Sequence, residues 1–112
     1  MQNKQWVDIC DLEDIVPDSG VCALVGEAQV AIFRLASGEI FALGNHDPFS
    51  GANVLSRGIV GEKNGTPKVA SPVYKQNFCL RTGACLDDPT VQIPIYGVRS
   101  EAGRVQVQAG AS

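Results

Sequence analysis

Histidine is scarce in this sequence of 112 residues: His46 is the only one, which limits the chemistry that the chain can perform. A catalytic histidine normally needs an orienting partner together with a nucleophile or a metal. Asp47 follows it directly, but neighbouring side chains in an extended chain point to opposite sides. We therefore interpret His46 as an exposed loop residue, and we expect neither a catalytic residue nor a resident metal in this chain.

Long apolar runs and strong charge clusters are also missing. No segment approaches the roughly 18 consecutive apolar residues of a membrane-spanning helix. The formal net charge is −3, without a basic cluster of the kind that binds nucleic acid or an acidic block typical of disorder. The nearest glycine-rich stretch, residues 58–61, lacks the lysine and the strand-to-helix context of a phosphate loop. We thus expect no membrane, nucleic-acid or nucleotide partner.

Four cysteines are present, but their setting does not indicate a disulfide scaffold. Cys10, Cys22, Cys79 and Cys85 mostly lie inside apolar runs, and residues 1–5 lack the apolar core of a secretory signal. We therefore expect a cytoplasmic protein with reduced thiols. Cys79 and Cys85 flank a predicted turn and could face each other as a redox pair. Buried inert thiols are the better interpretation, because the spacing is not that of a Cys-x-x-Cys motif.

Short strand-like segments recur along the chain with turn residues between them. They are residues 6–10, 21–25, 29–35, 39–43, 59–62, 67–70, 78–80, 91–98 and 104–108. The Asn64-Gly65 pair suits a turn with positive φ, and Pro94 favours an edge strand or a bulge. One helical turn is expected within residues 11–16, which Pro17 ends. The pattern predicts an all-β fold, an antiparallel β sandwich or small barrel with little helix. We expect one domain over residues 1–112, with a core at about 6–107 and a frayed tail at 109–112.

Two loops, residues 44–58 and 70–77, are dense in turn residues and resemble the cluster-binding loops of a Rieske domain. In that family the first loop carries Cys-x-His and the second Cys-x-x-His, which together bind a [2Fe–2S] cluster. The resemblance places Asp47 and Phe49 at the cysteine and histidine of the first loop, and Ser71 and Tyr74 at those of the second. None of the four matches a family ligand. We therefore expect a Rieske-like scaffold without a cluster, in which Asp47 and Tyr74 supply acceptors to loop N–H groups and Phe49 fills volume.

The same loops resemble the small subunit of the cytoplasmic, NAD(P)H-dependent assimilatory nitrite reductase. That family's patterns Asn-x-Asp-Pro-Phe and Ala-Asn-Val-Leu-Ser-Arg-Gly occur here at residues 45–49 and 52–58, and the resemblance extends from about Trp6 to Val107. It implies an accessory chain that carries no cofactor of its own. The partner would be a large subunit that holds FAD, sirohaem and a [4Fe–4S] cluster and reduces nitrite to ammonium.

Three other interpretations remain open at this point. One is a Rieske-type ferredoxin that carries electrons, which the missing ligands weigh against. Another is a stand-alone protein-interaction domain with no enzyme partner. A weak hard-metal site of Asp47, Ser71 and Tyr74 would need more carboxylates than are present. For docking on a partner, we expect the side chains at the loop tip to matter, namely His46, Val54, Val73 and Lys75 together with Phe49 and Tyr74.

Overall fold

Alternating and apolar segments of the sequence pair into antiparallel sheets in the computed structural model, which describes residues 5–111. Expectations for residues 1–4 and 112 lie outside this range. The strands are β1 (Trp6–Asp11), β2 (Ser19–Val25), β3 (Ala28–Arg34), β4 (Ile40–Gly44), β5 (Ile59–Lys63), β6 (Thr66–Ala70), β7 (Asn77–Cys79), β8 (Ile95–Tyr96), β9 (Val98–Glu101) and β10 (Arg104–Gln108). The predicted all-β, antiparallel architecture with little helix is confirmed.

Three sheets account for these strands. Sheet A has the order β1-β10-β9, sheet B the order β2-β3-β4-β8, and sheet C the order β5-β6-β7. Neighbouring strands within each sheet are antiparallel. The short strand β8 lies at the edge of sheet B, directly after Pro94, as the missing N–H of that proline favours.

Tight turns join the hairpins where the sequence predicts them. Gly26 begins the turn between β2 and β3 with a φ of 63°. Asn64 and Gly65 connect β5 to β6 with φ values of 52° and 83°, so both central residues adopt the positive φ of a hairpin turn. Register in sheets B and C follows from these short connections.

Strand β3 is buried on both faces and separates two apolar clusters. Val30 and Ile32 point to one side and Ala31 and Phe33 to the other, because side chains alternate along a strand. The first cluster lies between sheets B and C, the second between sheets A and B. Members of the first include Leu43, Leu55, Val69, Phe78, Leu80, Cys85 and Ile93, and members of the second include Ile15, Val25, Ala42, Val105 and Val107.

Helix is confined to two single 3₁₀ turns among the described residues, Leu12–Asp14 and Leu55–Arg57. The first is the predicted helical turn, and the Asp14 carboxylate accepts the N–H of Asp11 there. Neither turn is long enough to cross a bilayer. Ala109 differs from the expected frayed tail: its N–H donates to the Gln5 carbonyl over 2.8 Å, and its side chain packs against the second cluster.

The two loops that resemble Rieske cluster loops leave neighbouring strands. We call loop 1 the connection from β4 to β5, residues 45–58, and loop 2 the connection between β6 and β7, residues 71–76. Ile59 and Ala70 are paired at the ends of β5 and β6, so the end of loop 1 lies beside the start of loop 2.

Candidate functional site

Asn45 organises the start and the end of loop 1 from a buried position. Its Nδ2 donates to the Asn53 carbonyl over 3.1 Å, and its Oδ1 accepts the Ser56 N–H over 2.7 Å. The Asn45 carbonyl also accepts the N–H of Leu55. Sequence reasoning treated Asn45 only as part of a motif. An amide is suited to this place because it can donate and accept at the same time.

Asp47, at the first cysteine position, has no exposed surface and binds its own loop. Oδ1 accepts the Phe49 N–H over 2.9 Å, and Oδ2 accepts the Ser50 hydroxyl over 3.0 Å. The Asp47 carbonyl accepts the N–H of Gly51, which has a φ of 77°. The carboxylate therefore satisfies donors of a tight turn that would otherwise be buried without partners.

Ser71, at the second cysteine position, joins loop 2 to loop 1. Its hydroxyl donates to Oδ2 of Asp47 over 2.5 Å, and both side chains are buried. The Ser71 N–H donates to the Gln76 carbonyl over 2.9 Å, which closes loop 2 on itself. The structure thus brings together two of the four residues that align with ligand positions and connects them by a direct hydrogen bond.

The electrostatics of Asp47 follow from this arrangement. Burial raises the pKa of its carboxyl, but the hydrogen bonds from Ser71, from the Phe49 N–H and from Ser50 together outweigh burial and hold the pKa below its usual value. Asp47 is therefore an ionised carboxylate at neutral pH, and both of its oxygens accept hydrogen bonds from loop donors. Such a group stabilises the loops without a metal ion.

The two residues at the histidine positions, Phe49 and Tyr74, differ in burial. Phe49 is half-buried and contacts Phe78 of the first cluster, with ring centroids 6.2 Å apart. It fills volume under the loops, as expected. Tyr74 is 62% exposed, so its hydroxyl lies outside the network of Asp47, Ser50 and Ser71. In loop 2 the Gln76 carbonyl accepts the Ser71 N–H and the Ser71 hydroxyl accepts the Val73 N–H, so these acceptors take the place that we expected for Tyr74.

The side chains expected at the loop tip differ in exposure. His46 is exposed, and its Nδ1 lies 3.0 Å from Oδ1 of Asn53. Lys75 is exposed with a φ of 65°, and Val73 is 44% exposed. Val54 is only half-buried, immediately before the 3₁₀ turn of loop 1.

Cys79 and Cys85 are buried free thiols that do not face each other. Cys85 is paired with Phe78 across an isolated bridge and belongs with it to the first cluster. Cys79 follows Phe78 and so points to the opposite side of the strand, which argues against the alternative of a redox pair, and the burial of both thiols agrees with the preferred interpretation. Burial raises the pKa of the Cys79 thiol, but hydrogen bonds from Thr82 and the Arg81 backbone lower it by a larger amount. The pKa of this thiol therefore lies below its usual value.

Metal-ligating side chains are not assembled at these loops. In the part of the chain that the structure describes, no three or more His, Cys, Asp or Glu side chains are placed to hold a metal ion.

Comparison with known proteins places the chain in a family. Residues 5–108 match the Rieske-like [2Fe-2S] domain. The nitrite reductase (NADH) small subunit of Escherichia coli K12 is 48% identical over 106 residues, which is 94% of this chain and 98% of that one. The NMR structure of the E. coli protein NirD superposes with a TM-score of 0.89 at 47% identity, covering 96% of this chain and 99% of the other.

Two further matches concern a longer protein and the fold alone. The nitrite reductase [NAD(P)H] large subunit of Klebsiella oxytoca is 41% identical over 107 residues, which is 96% of this chain but only 11% of that protein. The ferredoxin of carbazole 1,9a-dioxygenase from Nocardioides aromaticivorans is 19% identical with a TM-score of 0.83 over 95% of this chain and 99% of the other, so the two share the fold. The full-length matches to small subunits, on a Rieske-like domain, show that this chain belongs to the nitrite reductase small-subunit family.

Proposed function

We propose that this chain is a cluster-free accessory subunit of a cytoplasmic NAD(P)H nitrite reductase and acts in nitrate assimilation. It would assemble with a large subunit that holds FAD, sirohaem and a [4Fe–4S] cluster, as the family resemblance implies, and that reduces nitrite to ammonium with six electrons. The chain itself would carry no electrons and no catalytic residue. The hydrogen bond between Asp47 and Ser71, at two former cysteine positions, is the observation that carries this proposal.

The [2Fe–2S] cluster named in the family description does not fit these residues. Iron in a Rieske centre takes two thiolates and two imidazoles. Here the oxygens of Asp47 are occupied by three donors, and the Ser71 hydroxyl is one of those donors. Phe49 has no donor atom, and the Tyr74 ring is largely exposed. The loops are held by the carboxylate network in place of a cluster, which favours assembly over electron transfer as the role of the chain.

The Klebsiella relative supports the large subunit as the partner. In that protein a segment 41% identical to this chain is part of a polypeptide that is named the large subunit. Two units that are joined in one relative and separate in others commonly work in one complex, because the covalent link raises their effective concentration without changing their contacts.

The exposed tip of the loops suits a docking surface on that partner. Val73 and Tyr74 are exposed apolar and aromatic groups of loop 2, followed in sequence by the exposed Lys75, and His46 is exposed on loop 1. Apart from the buried Asp47, neither loop contains an acidic residue. An apolar centre within a polar, weakly basic rim resembles the composition of protein interfaces. Val54 contributes less to this surface because it is half-buried.

Co-purification and activity measurements test the proposal. Co-expressed with the large subunit, the chain should co-purify with it, and NADH-driven nitrite reduction should rise when the chain is added to the large subunit alone. The double variant Val73→Ser/Tyr74→Ser should weaken association about tenfold or more and leave the folding of the isolated chain unchanged, because both side chains are exposed.

Val16→Ser is the matched control, since Val16 is 67% exposed and belongs to neither loop. If the folded double variant assembles and supports nitrite reduction normally, the tip is not the docking surface. If the unchanged chain neither co-purifies nor alters activity, the accessory role itself is wrong.

A further inference from the structure

Among residues 5–111, strands β1 and β2 each have one unpaired edge, and a groove runs between them. β1 is an outer strand of sheet A and β2 an outer strand of sheet B. The groove between them has a volume of about 410 Å³ and is lined by residues 7–10 of β1, residues 21–24 of β2 and Asp14. Unpaired edges present rows of backbone donors and acceptors, which an added extended segment can complete.

The walls of this β1/β2 groove are apolar where an added strand would lie. Leu24 is 68% exposed at the rim, and Val7, Ile9 and Val21 are half-buried along it. Natural proteins usually protect a free strand edge with lysine, proline or a bulge. The lining residues of β2 contain neither lysine nor proline, so this edge lacks those protections against pairing.

The charge around the groove is negative. Residues 5–33 contain six carboxylates and neither lysine nor arginine. Two arginines from later in the chain pair with part of this charge, Arg104 with Asp8 and Asp11 and Arg34 with Glu13, while Asp14 lines the groove. Burial raises the pKa of the Cys10 thiol in the groove, and the negative charge of Asp14 raises it further. A second copy of this chain would bring like charge to the same place, so charge complementarity favours a basic occupant.

The first and last strands, β1 and β10, are paired, and β1 forms one wall of the groove. Trp6 is paired with Gln108, and the Ala109 N–H donates to the Gln5 carbonyl over 2.8 Å. In the Klebsiella large subunit the matching segment corresponds to 96% of this chain, so the remaining polypeptide joins it at one or both ends. Such a junction would leave the fold beside Trp6, one residue from Val7 in the groove wall. In that relative, large-subunit polypeptide would therefore be joined to the fold near one wall of this groove.

From these observations we propose that the β1/β2 groove receives an extended segment of the nitrite reductase large subunit, apolar at its centre and carrying lysine or arginine. The segment adds to the free edge of β2 and covers Leu24. This inference rests on the proposed function, because it names a second contact within the same complex, separate from the loop tip.

The experiment measures affinity of the intact large subunit for variants of the full chain. Leu24→Lys should weaken binding at least tenfold, since it places a cation against a basic segment. Leu24→Asp should weaken binding less, because its charge still attracts that segment. Val16→Lys and Val16→Asp are the controls at equal exposure and should bind as the unchanged chain does. Hydrogen exchange of the complex should show protection of β2 amides at least tenfold above that in the free chain.

Different results of these binding measurements would contradict different parts of the proposal. Normal binding by Leu24→Lys with unchanged β2 exchange would show the groove to be empty in the complex. Weaker binding by Leu24→Asp than by Leu24→Lys would mean an acidic occupant and overturn the stated chemistry. Dimerisation of the chain alone that Leu24→Lys abolishes would make the occupant a second copy. Failure of the unchanged chain to bind the large subunit would instead refute the proposed function.

Discussion

Replacing Ser71 with alanine removes the one side-chain hydroxyl that joins loop 2 to Asp47. Hydrogen bonds to charged groups contribute about 1.5–3 kcal/mol to stability. When the hydroxyl is removed, the Asp47 carboxylate stays buried with one donor fewer, so part of its desolvation penalty is no longer offset. We expect the free energy of unfolding to fall by about 2 kcal/mol at pH 7. With about 2.1 cal/mol/K of unfolding entropy per residue, roughly 0.24 kcal/mol/K for 112 residues, Tm should fall by about 8 °C.

The effect of Ser71→Ala should depend on pH in a defined direction. Because the pKa of Asp47 is lowered in the folded state, its stabilisation is fully present above the unfolded pKa of about 4. It is lost as the pH falls through the lowered folded pKa. Once Asp47 is protonated, the bond joins two neutral groups and contributes only about 1 kcal/mol. The cost of the substitution should therefore shrink in acid.

Urea and thermal unfolding of the isolated chain, followed by circular dichroism at pH 7 and in acid, measure both effects. Ser100→Ala, an exposed position in β9, should change stability by less than about 0.5 kcal/mol. Ser50→Ala removes a longer, half-buried bond to Asp47 and should cost about 1 kcal/mol. A loss below about 0.5 kcal/mol for Ser71→Ala at pH 7, or equal losses at both pH values, would refute this account of the loops.

Three other predictions concern metal binding, the Phe49 ring and the two buried thiols. The purified chain should be colourless and bind no stoichiometric iron or zinc; metal analysis that finds about two irons per chain after anaerobic reconstitution would contradict this. Phe49→Ala should lower the free energy of unfolding by about 2–3 kcal/mol because the ring contacts Phe78, and a loss under about 0.5 kcal/mol in denaturant melts would show that the ring stabilises nothing. Mild oxidation should leave Cys79 and Cys85 unlinked by mass spectrometry, because Cys79 points away from the face on which Cys85 is paired with Phe78. A disulfide between the two cysteines would show that this pairing rearranges.

Much of the fold could be predicted because its signals are local. Strand β3 and the turn at Asn64-Gly65 are visible in five to seven residues of sequence, since alternation and positive φ are properties of neighbouring positions. The expected strand over residues 91–98 was too long: only Ile95–Tyr96 and Val98–Glu101 are strands there. Pro94 and Gly97 interrupt the pairing, and alternation alone does not show where a ladder partner ends.

The candidate site was predictable in its positions and not in its bonding. The loop frame identified Asp47 and Ser71 as residues at former cysteine positions. Their hydrogen bond joins residues 24 apart in sequence, so it depends on how β4, β5 and β6 are packed. The same limit applies to Tyr74, which the sequence allowed either as an acceptor for loop N–H groups or as part of the loop tip, and which the fold leaves exposed. Exposure of one side chain in a loop depends on what the fold places beneath it.

The sequence by itself determined the class of the fold, the hairpin turns and the absence of cysteine and histidine from the four positions that align with cluster ligands, because each depends on residue type and short spacing. Only the tertiary structure decided that Asp47 is buried, that it is bonded to Ser71, and that β1 and β2 face each other across a groove. These features depend on three sheets packing together, and the free energy of that packing comes from contacts between residues far apart in the chain.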